Sequence, residues 1–296
     1  MTVFSRVLAN AERERALQAQ GRQQDRGGDR PAPGPGEPPG PRPNRGLRSA
    51  EPYPAESLKQ VEAHLVSLLH PTSFLAEPYR ALRHIVEQRQ RTGKLSILAV
   101  SSAGGGEGKT TTAINLAGAL AQAPGSRVLL IDADLRTASV ARHLVLGEVG
   151  SHGLVDAILD SKLSLYDVVR ARPPFNLDVL PAGILPATPY EVLKSPRLEE
   201  LLEEARGRYD YVILDTAPLV PVPDSRLIGK LVDGFLLVVA AHKTRSKLLA
   251  EALNLMEPAK LLGLVFNGDD ETPSSNYDLA SDGHRPRWWR YLWGTH

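Results

Sequence analysis

A buried strand, a glycine-rich loop and a helix follow one another without interruption between Leu95 and Ala121, and few folds accommodate that succession. Leu95 to Val100 is an apolar run of strand length, and Ala113 to Ala121 is an apolar stretch of helical length. Between them lies Ser101-Ser102-Ala103-Gly104-Gly105-Gly106-Glu107-Gly108-Lys109-Thr110-Thr111-Thr112. Glycines let the backbone curl until successive N–H groups point at one anion, and the N-terminus of the following helix adds partial positive charge. Strand, glycine loop, Gly-Lys-Thr and helix in this order bind the phosphates of a nucleoside triphosphate. The candidate contacts are Gly104, Gly105, Gly106, Glu107, Gly108, Lys109, Thr110 and Thr111. Lys109 is placed to reach the β- and γ-phosphates, and the Thr110 hydroxyl to hold Mg²⁺. The strict pattern opens with glycine; this chain has Ala103 there.

Downstream, near-continuous apolar runs at 95–101, 127–132, 177–181, 210–215, 234–241 and 261–267 read as parallel strands covered on both faces. Helical segments fall between them at 110–122, 138–145, 153–160, 188–206, 223–231 and 245–257. Ser57 to Leu69 and Glu77 to Gln90 read as two further helices, interrupted by Pro71. Alternating strands and helices predict an α/β fold, one doubly wound and mostly parallel sheet with right-handed crossovers. Ligands of such sheets lie at the carboxyl ends of the strands, where the glycine loop already sits.

Residues 21–54 contain seven Gly and nine Pro, with Leu47 and Tyr53 as the only sizeable apolar side chains. Such a stretch cannot bury enough surface to offset its ordering entropy. The expected organisation is therefore a disordered arm over 1–55, a nucleotide-binding domain over 56–269 and a flexible aromatic tail over 270–296. The first twenty residues could form a short amphipathic helix that docks on a partner or a membrane surface, or remain a solvated tail. Lys and Arg total 35 against 34 Asp and Glu, for a net charge of +1, so nothing pulls the chain toward nucleic acid. The absence of cysteine excludes disulfides and thiol catalysis. No apolar run approaches the ~20 residues that span a bilayer, and the N-terminus lacks the apolar core of a secretory signal, so the expectation is a cytoplasmic protein.

Three carboxylates complete the site. Asp132 and Asp134 end the run Val128-Leu129-Leu130-Ile131, and Asp215 ends Tyr211-Val212-Ile213-Leu214. Alternate residues of a strand face the same way, so Asp132 and Asp134 can address one site. Mg²⁺ uses few protein ligands and keeps several waters, so Asp215 is suited to hold it directly or through water. Asp132 is the candidate to orient or deprotonate the attacking nucleophile, with Asp134 supporting the metal shell.

Together, the Gly-Lys-Thr loop, the segment ending Asp132-Ala133-Asp134-Leu135-Arg136 and the segment Asp215-Thr216-Ala217-Pro218 resemble the Walker-type motifs of bacterial tyrosine kinases of the capsular and exopolysaccharide type. That family is related to the partition and septum-site ATPases, so the resemblance implies a P-loop fold of the partition-ATPase type. Glu77-Pro78-Tyr79-Arg80-Ala81-Leu82-Arg83, Leu180-Pro181-Ala182-Gly183 and Gly263-Leu264-Val265-Phe266-Asn267 are also similar to family phrases, and the likeness runs in order from about residue 60 to 270. It implies ATP and Mg²⁺ as cofactors, autophosphorylation on tyrosine, and control of polysaccharide chain length and export. Lys109, Asp132 and Asp134 would be catalytic, Thr110, Asp132 and Asp215 would hold the metal, and Asn267 would contact adenine. Glu77, Arg80 and Arg83 would join subunits into a ring. Read on spacing alone, Glu77 and Arg80 could equally be a surface ion pair. The implied partners are a separate membrane-anchored co-polymerase that activates the enzyme at the inner face of the membrane, and an opposing tyrosine phosphatase.

The tail departs from the family pattern. It offers only Tyr277 and Tyr291 as phosphoacceptors, and Trp288, Trp289 and Trp293 surround the second. Arg-flanked tryptophans serve membrane interfaces, cation–π packing or partner grooves, and can also fold back on their own domain. A non-catalytic nucleotide-dependent switch or scaffold of the export machinery is thus the competing function. A partition-type positioning ATPase is disfavoured because Gly104 stands where those proteins carry a second lysine. A GTPase is disfavoured because Asn267 is followed by Gly268-Asp269-Asp270 rather than a guanine-reading pattern.

Overall fold

Apolar runs become strands of a single sheet in the structure, a computed structural model that describes residues 61–93, 95–146 and 152–268. The strands are β1 (Ile97–Ser102), β2 (Val128–Ala133), β3 (Arg170–Ala171), β4 (Asp178–Leu180), β5 (Tyr211–Thr216), β6 (Gly234–Ala240) and β7 (Leu261–Asn267). Their order is β3-β4-β2-β5-β1-β6-β7, and every pairing is parallel except β3 with β4. Successive side chains of a strand enter opposite layers. Ile97 and Ala99 join one buried cluster with Leu154, Leu198, Ile228 and Leu249, while Leu98 and Val100 join another with Leu65, Val86, Ile114 and Leu120. The expected doubly wound α/β architecture is therefore present.

Strand order fixes the site. β5 lies between β1 and β2, so the carboxyl ends of these three strands are neighbours. The register sets Asp132 directly opposite Asp215, and Asp215 opposite Val100, just before the glycine loop.

Helices are α1 (Val66–Leu69), α2 (Glu77–Arg91), α3 (Lys109–Ala121), α4 (Val140–His143), α5 (Leu154–Leu159), α6 (Leu165–Val168), α7 (Pro189–Leu193), α8 (Pro196–Arg208), α9 (Asp224–Leu231) and α10 (Ser246–Asn254). Four differences from the sequence reading have physical causes. Within the described part of 57–69 only α1 is helical, because Asn115 takes the backbone groups that a longer helix would use. Its Oδ1 accepts from Ser67 N at 2.9 Å and its Nδ2 donates to His64 O at 3.1 Å. The helix expected over 188–206 is two, since Pro196 has no N–H and its ring would clash with the preceding turn. Ser195 caps the second by accepting from Arg197 N at 3.3 Å. The helix expected over 138–145 shrinks to α4 and is followed by Val145 at φ 52°. Two-residue β3 and one-turn α6, each too short to show a period, are absent from the sequence reading.

Residues 1–55 and 270–296, with Tyr277 and Tyr291, lie outside the described residues, as do 57–60. Among the described residues no helix is long and apolar enough to cross a membrane.

Candidate active site

The glycine loop is held from behind. Ser102 Oγ donates to Gly104 O at 2.7 Å, and the buried Glu107 carboxylate accepts from Ala103 N at 3.0 Å, closing the loop at the position where the strict motif has glycine. Gly106 and Gly108 adopt φ of 68° and 90°, the left-handed region that favours glycine. Space forbids a side chain at Gly108 as well, because a Cβ there would sit 1.8 Å from Asn267 Nδ2. α3 starts at once with Lys109, so its N-terminus points its free N–H groups into the loop.

Three contacts to the loop come from the far side of the sequence. Thr244 Oγ1 donates to Glu107 Oε1 at 2.7 Å, Lys243 Nζ donates to Gly106 O at 2.8 Å, and Asn267 Nδ2 donates to Glu107 O at 3.1 Å. Lys243 and Thr244 were not singled out by sequence. Nothing local marks them, since their partners lie 137 residues away.

Lys109 Nζ lies 2.9 Å from Asp134 Oδ2. Burial alone would lower the Lys109 pKa, but Asp215, Asp134 and Asp132 outweigh it and raise it, so the ammonium keeps its charge. Asp134 is likewise pushed up by burial and brought below its ordinary value by Lys109 and by Thr137. Its oxygens are all engaged: Oδ1 accepts from Arg136 N and Thr137 N at 3.2 and 3.0 Å, and Oδ2 from Thr137 Oγ1 at 2.9 Å. Arg136 in turn pairs with buried Asp224 at 2.7 Å, tying this turn to α9.

Asp132 and Asp215 are different. Asp132 Oδ2 accepts from Ser139 N and Val140 N, both at 3.0 Å, at the start of α4. Asp215 Oδ2 accepts from Thr110 Oγ1 at 2.6 Å. The other oxygen of each, Oδ1, is buried without a hydrogen-bond partner among the described residues. Burial raises both pKa values, and their mutual proximity raises that of Asp215 further. Two orphaned carboxylate oxygens beside a threonine hydroxyl are the donor set for a hard cation. Mg²⁺ fits it, because Mg²⁺ takes one or two carboxylates and completes its shell with water and phosphate.

The structure thus brings together Gly104, Gly105, Gly106, Glu107, Gly108, Lys109, Thr110, Thr111, Asp132, Asp134, Asp215 and Asn267. Glu77, Arg80 and Arg83 stand apart on α2. Arg80 pairs with Glu77 at 2.7 Å, and Arg83 bonds Glu87 at 2.6 Å and Ala119 O, at the end of α3, at 2.9 Å.

Such a loop at the carboxyl edge of a parallel sheet defines a P-loop nucleotide-binding protein. Residues 95–226 match the model of a family described as an AAA domain. The tyrosine-protein kinase YwqD of Bacillus subtilis is 36% identical over 220 residues, covering 74% of this chain and 91% of that protein. The succinoglycan biosynthesis transport protein ExoP of Rhizobium meliloti is 32% identical over 229 residues, 75% of this chain but 28% of the longer relative. Among solved structures, the kinase domain of Escherichia coli tyrosine kinase ETK superposes with a TM-score of 0.65 at 30% identity, covering 74% of this chain and 84% of that domain. The chain belongs to the bacterial tyrosine-protein kinase family.

Proposed function

We propose that this chain is an ATP-dependent tyrosine kinase that phosphorylates its own tail, with Tyr291 and then Tyr277 as acceptors, and thereby regulates capsule or exopolysaccharide export. The observation that carries this reading is the pair of orphaned oxygens on Asp132 and Asp215 beside Thr110 and the glycine loop. Backbone N–H groups of Gly104 to Thr111 bind the phosphates, and Lys109 leaves Asp134 to reach the β- and γ-oxygens. Asp134 is then a positioning residue, holding Lys109 charged and extended until nucleotide arrives. Thr110 and Asp215 would hold Mg²⁺, which would supply positive charge to the phosphates.

Asp132 has one free oxygen, because its Oδ2 is committed to α4. Oδ1 therefore either holds a metal-bound water or accepts the tyrosine proton, one task at a time. A raised pKa suits the second task, since a base works best when its pKa lies near the working pH. In the transfer, the tyrosine oxygen bonds the γ-phosphorus, the bond to the β-bridging oxygen breaks, ADP departs and the phenolic proton passes to Asp132. Asn267, already against the loop, would extend toward adenine.

We infer further that the enzyme works at the inner membrane face with a membrane-anchored co-polymerase, that Glu77, Arg80 and Arg83 serve a ring of subunits, and that a tyrosine phosphatase reverses the reaction. ExoP supports the first inference, because this chain matches only 28% of it and the remainder is available to supply a fused partner. A phosphosite map tests the kinase assignment. The full chain is incubated with Mg-ATP and the co-polymerase's cytoplasmic segment, then digested for mass spectrometry, with Lys109→Met as control. ATP-dependent phosphate on Tyr291 or Tyr277, absent from the control, is expected; ATP turnover without phosphotyrosine would instead establish a nucleotide switch.

A further inference from the structure

Away from the nucleotide, two histidines and a glutamate converge on one point. His64 Nε2 lies 3.1 Å and His143 Nδ1 2.9 Å from the same oxygen, Glu62 Oε2. The three donor atoms all fall within 4.8 Å of one another, and the two imidazole rings meet edge to face at 76°. We propose that Glu62, His64 and His143 form a binding site for a zinc-class divalent cation, with water in the remaining position.

The donor chemistry selects the ion. Two imidazoles and one carboxylate are a recurrent zinc set with an open fourth position, with Zn–N near 2.0–2.1 Å and Zn–O near 2.0–2.2 Å. Tetrahedral ligands at that radius lie roughly 3.3–3.5 Å apart. The two Glu–His separations therefore need to open by only a few tenths of an ångström. Imidazole nitrogen disfavours Mg²⁺ and Ca²⁺, which prefer all-oxygen shells.

The ligands are carried by anchored backbone, so little ordering remains for the metal to impose. Glu62 and His64 lie in one turn, closed by Leu65 N donating to Glu62 O at 3.0 Å, and His64 O is held by Asn115 on α3. Leu65 and Leu144, each fully buried next to a ligand, sit in the same core cluster. Side-chain exposure of 46% for His64 and 38% for Glu62 leaves an entry path for the ion. A bound ion would clip the segment at 62–65 to α4, whose first N–H groups hold Asp132. This site shares no ligand with the nucleotide site.

The test uses the untagged full chain with Zn²⁺ and Co²⁺ as probes. Co²⁺ reports geometry, because four- or five-coordinate nitrogen ligation gives intense visible bands that octahedral oxygen ligation does not. One equivalent of Co²⁺ should develop such bands and Zn²⁺ should bleach them. His64→Ala and His143→Ala should each weaken binding at least about tenfold. His84→Ala should leave it unchanged. His64 is exposed, so His64→Ala keeps the test valid even if His143→Ala fails to fold. No zinc binding below about 100 µM, or binding that survives both histidine changes, would overturn the proposal.

Discussion

Two aspartates at opposite ends of the same sheet show how one fold separates support from chemistry. Asp233 precedes β6 at the amino edge, and all its capacity is used. Its Oδ2 accepts from Ser96 N, Ile97 N and Arg206 at 2.8 Å each, and Oδ1 accepts from Arg206 at 3.1 Å. Burial pushes its pKa up, but Arg206 and the two backbone N–H groups bring it below the ordinary value. Asp215, at the carboxyl edge, has one partner, one orphaned oxygen and a raised pKa. The satisfied carboxylate stabilises the fold and the unsatisfied one destabilises it, a cost that the proposed Mg²⁺ would relieve. Being left incomplete is what marks the second as a working group.

The largest expected effect tests the working end. Asp215→Asn keeps the shape and the Thr110 contact but removes the charge that would hold Mg²⁺, so phosphotransfer should fall by about 10²-fold or more. Asp233→Asn should leave the rate per folded molecule within about twofold. Steady-state tyrosine phosphorylation with both variants decides it, and equal losses would erase the distinction between the two edges.

Stability should run the other way. Asp233→Ala deprives Arg206 and two backbone N–H groups of their acceptor, and leaving such donors unsatisfied costs about 1–3 kcal/mol. With Arg206 about one third exposed, solvent screening places the loss in the lower half of that range. Urea melts read it directly, and an unchanged midpoint would show that water replaces the carboxylate without cost.

pH sharpens the same contrast. The folded-state pKa of Asp215 lies above its unfolded value, so the nucleotide-free fold holds the proton more tightly and loses stability as pH rises from the ordinary carboxylate range through that raised pKa. Asp132 acts in the same direction. The melting temperature of the nucleotide-free protein should therefore fall between about pH 5 and pH 8, and Asp215→Asn should flatten much of that fall. Asp233 has the opposite sign: its contribution is present above the unfolded pKa and is lost as pH falls toward its depressed one. Burial lowers the His143 pKa and works in the other direction, so the comparison with Asp215→Asn decides: a difference between the two melting temperatures that stays constant from pH 5 to 8 would contradict the raised value.

How much of this was legible in the chain follows from the range of each contact. Lys109 and Thr110 stand out in the sequence because they end a glycine loop, and Asp132 and Asp215 because each closes an apolar run; the structure places all four at neighbouring carboxyl ends of the sheet. The Pro196 break lay in plain view within an apolar period, yet periodicity alone joined the two helices. The replacement of a helix near residue 65 by bonds to Asn115 was hidden, because the amide lies about fifty residues away in sequence. Glu62, His64 and His143 were invisible for the same reason: only packing of Leu65 and Leu144 in one cluster makes them neighbours.

The smallest effect concerns α2, where the same contrast recurs between two arginines one turn apart. Arg83 is spent within its own subunit, bonded to Glu87 and to the carbonyl of Ala119. Arg80 has an exposed pair with Glu77 and a long bond to Ser73 O at 3.3 Å, while its Nε has no partner among the described residues. That Nε is buried, so if a neighbouring subunit docks on this helix, what Arg80 can offer it is the partly exposed end of its guanidinium, released from Glu77. Arg80→Ala should cost the monomer only about 0.2–0.5 kcal/mol, the scale of an exposed helical pair. Loss of assembly mass in light scattering at unchanged melting temperature would then report the interface alone. Arg83→Ala cannot serve in its place, because uncapping α3 confounds assembly with folding, and unchanged mass for Arg80→Ala would remove this arginine from the proposed ring contact.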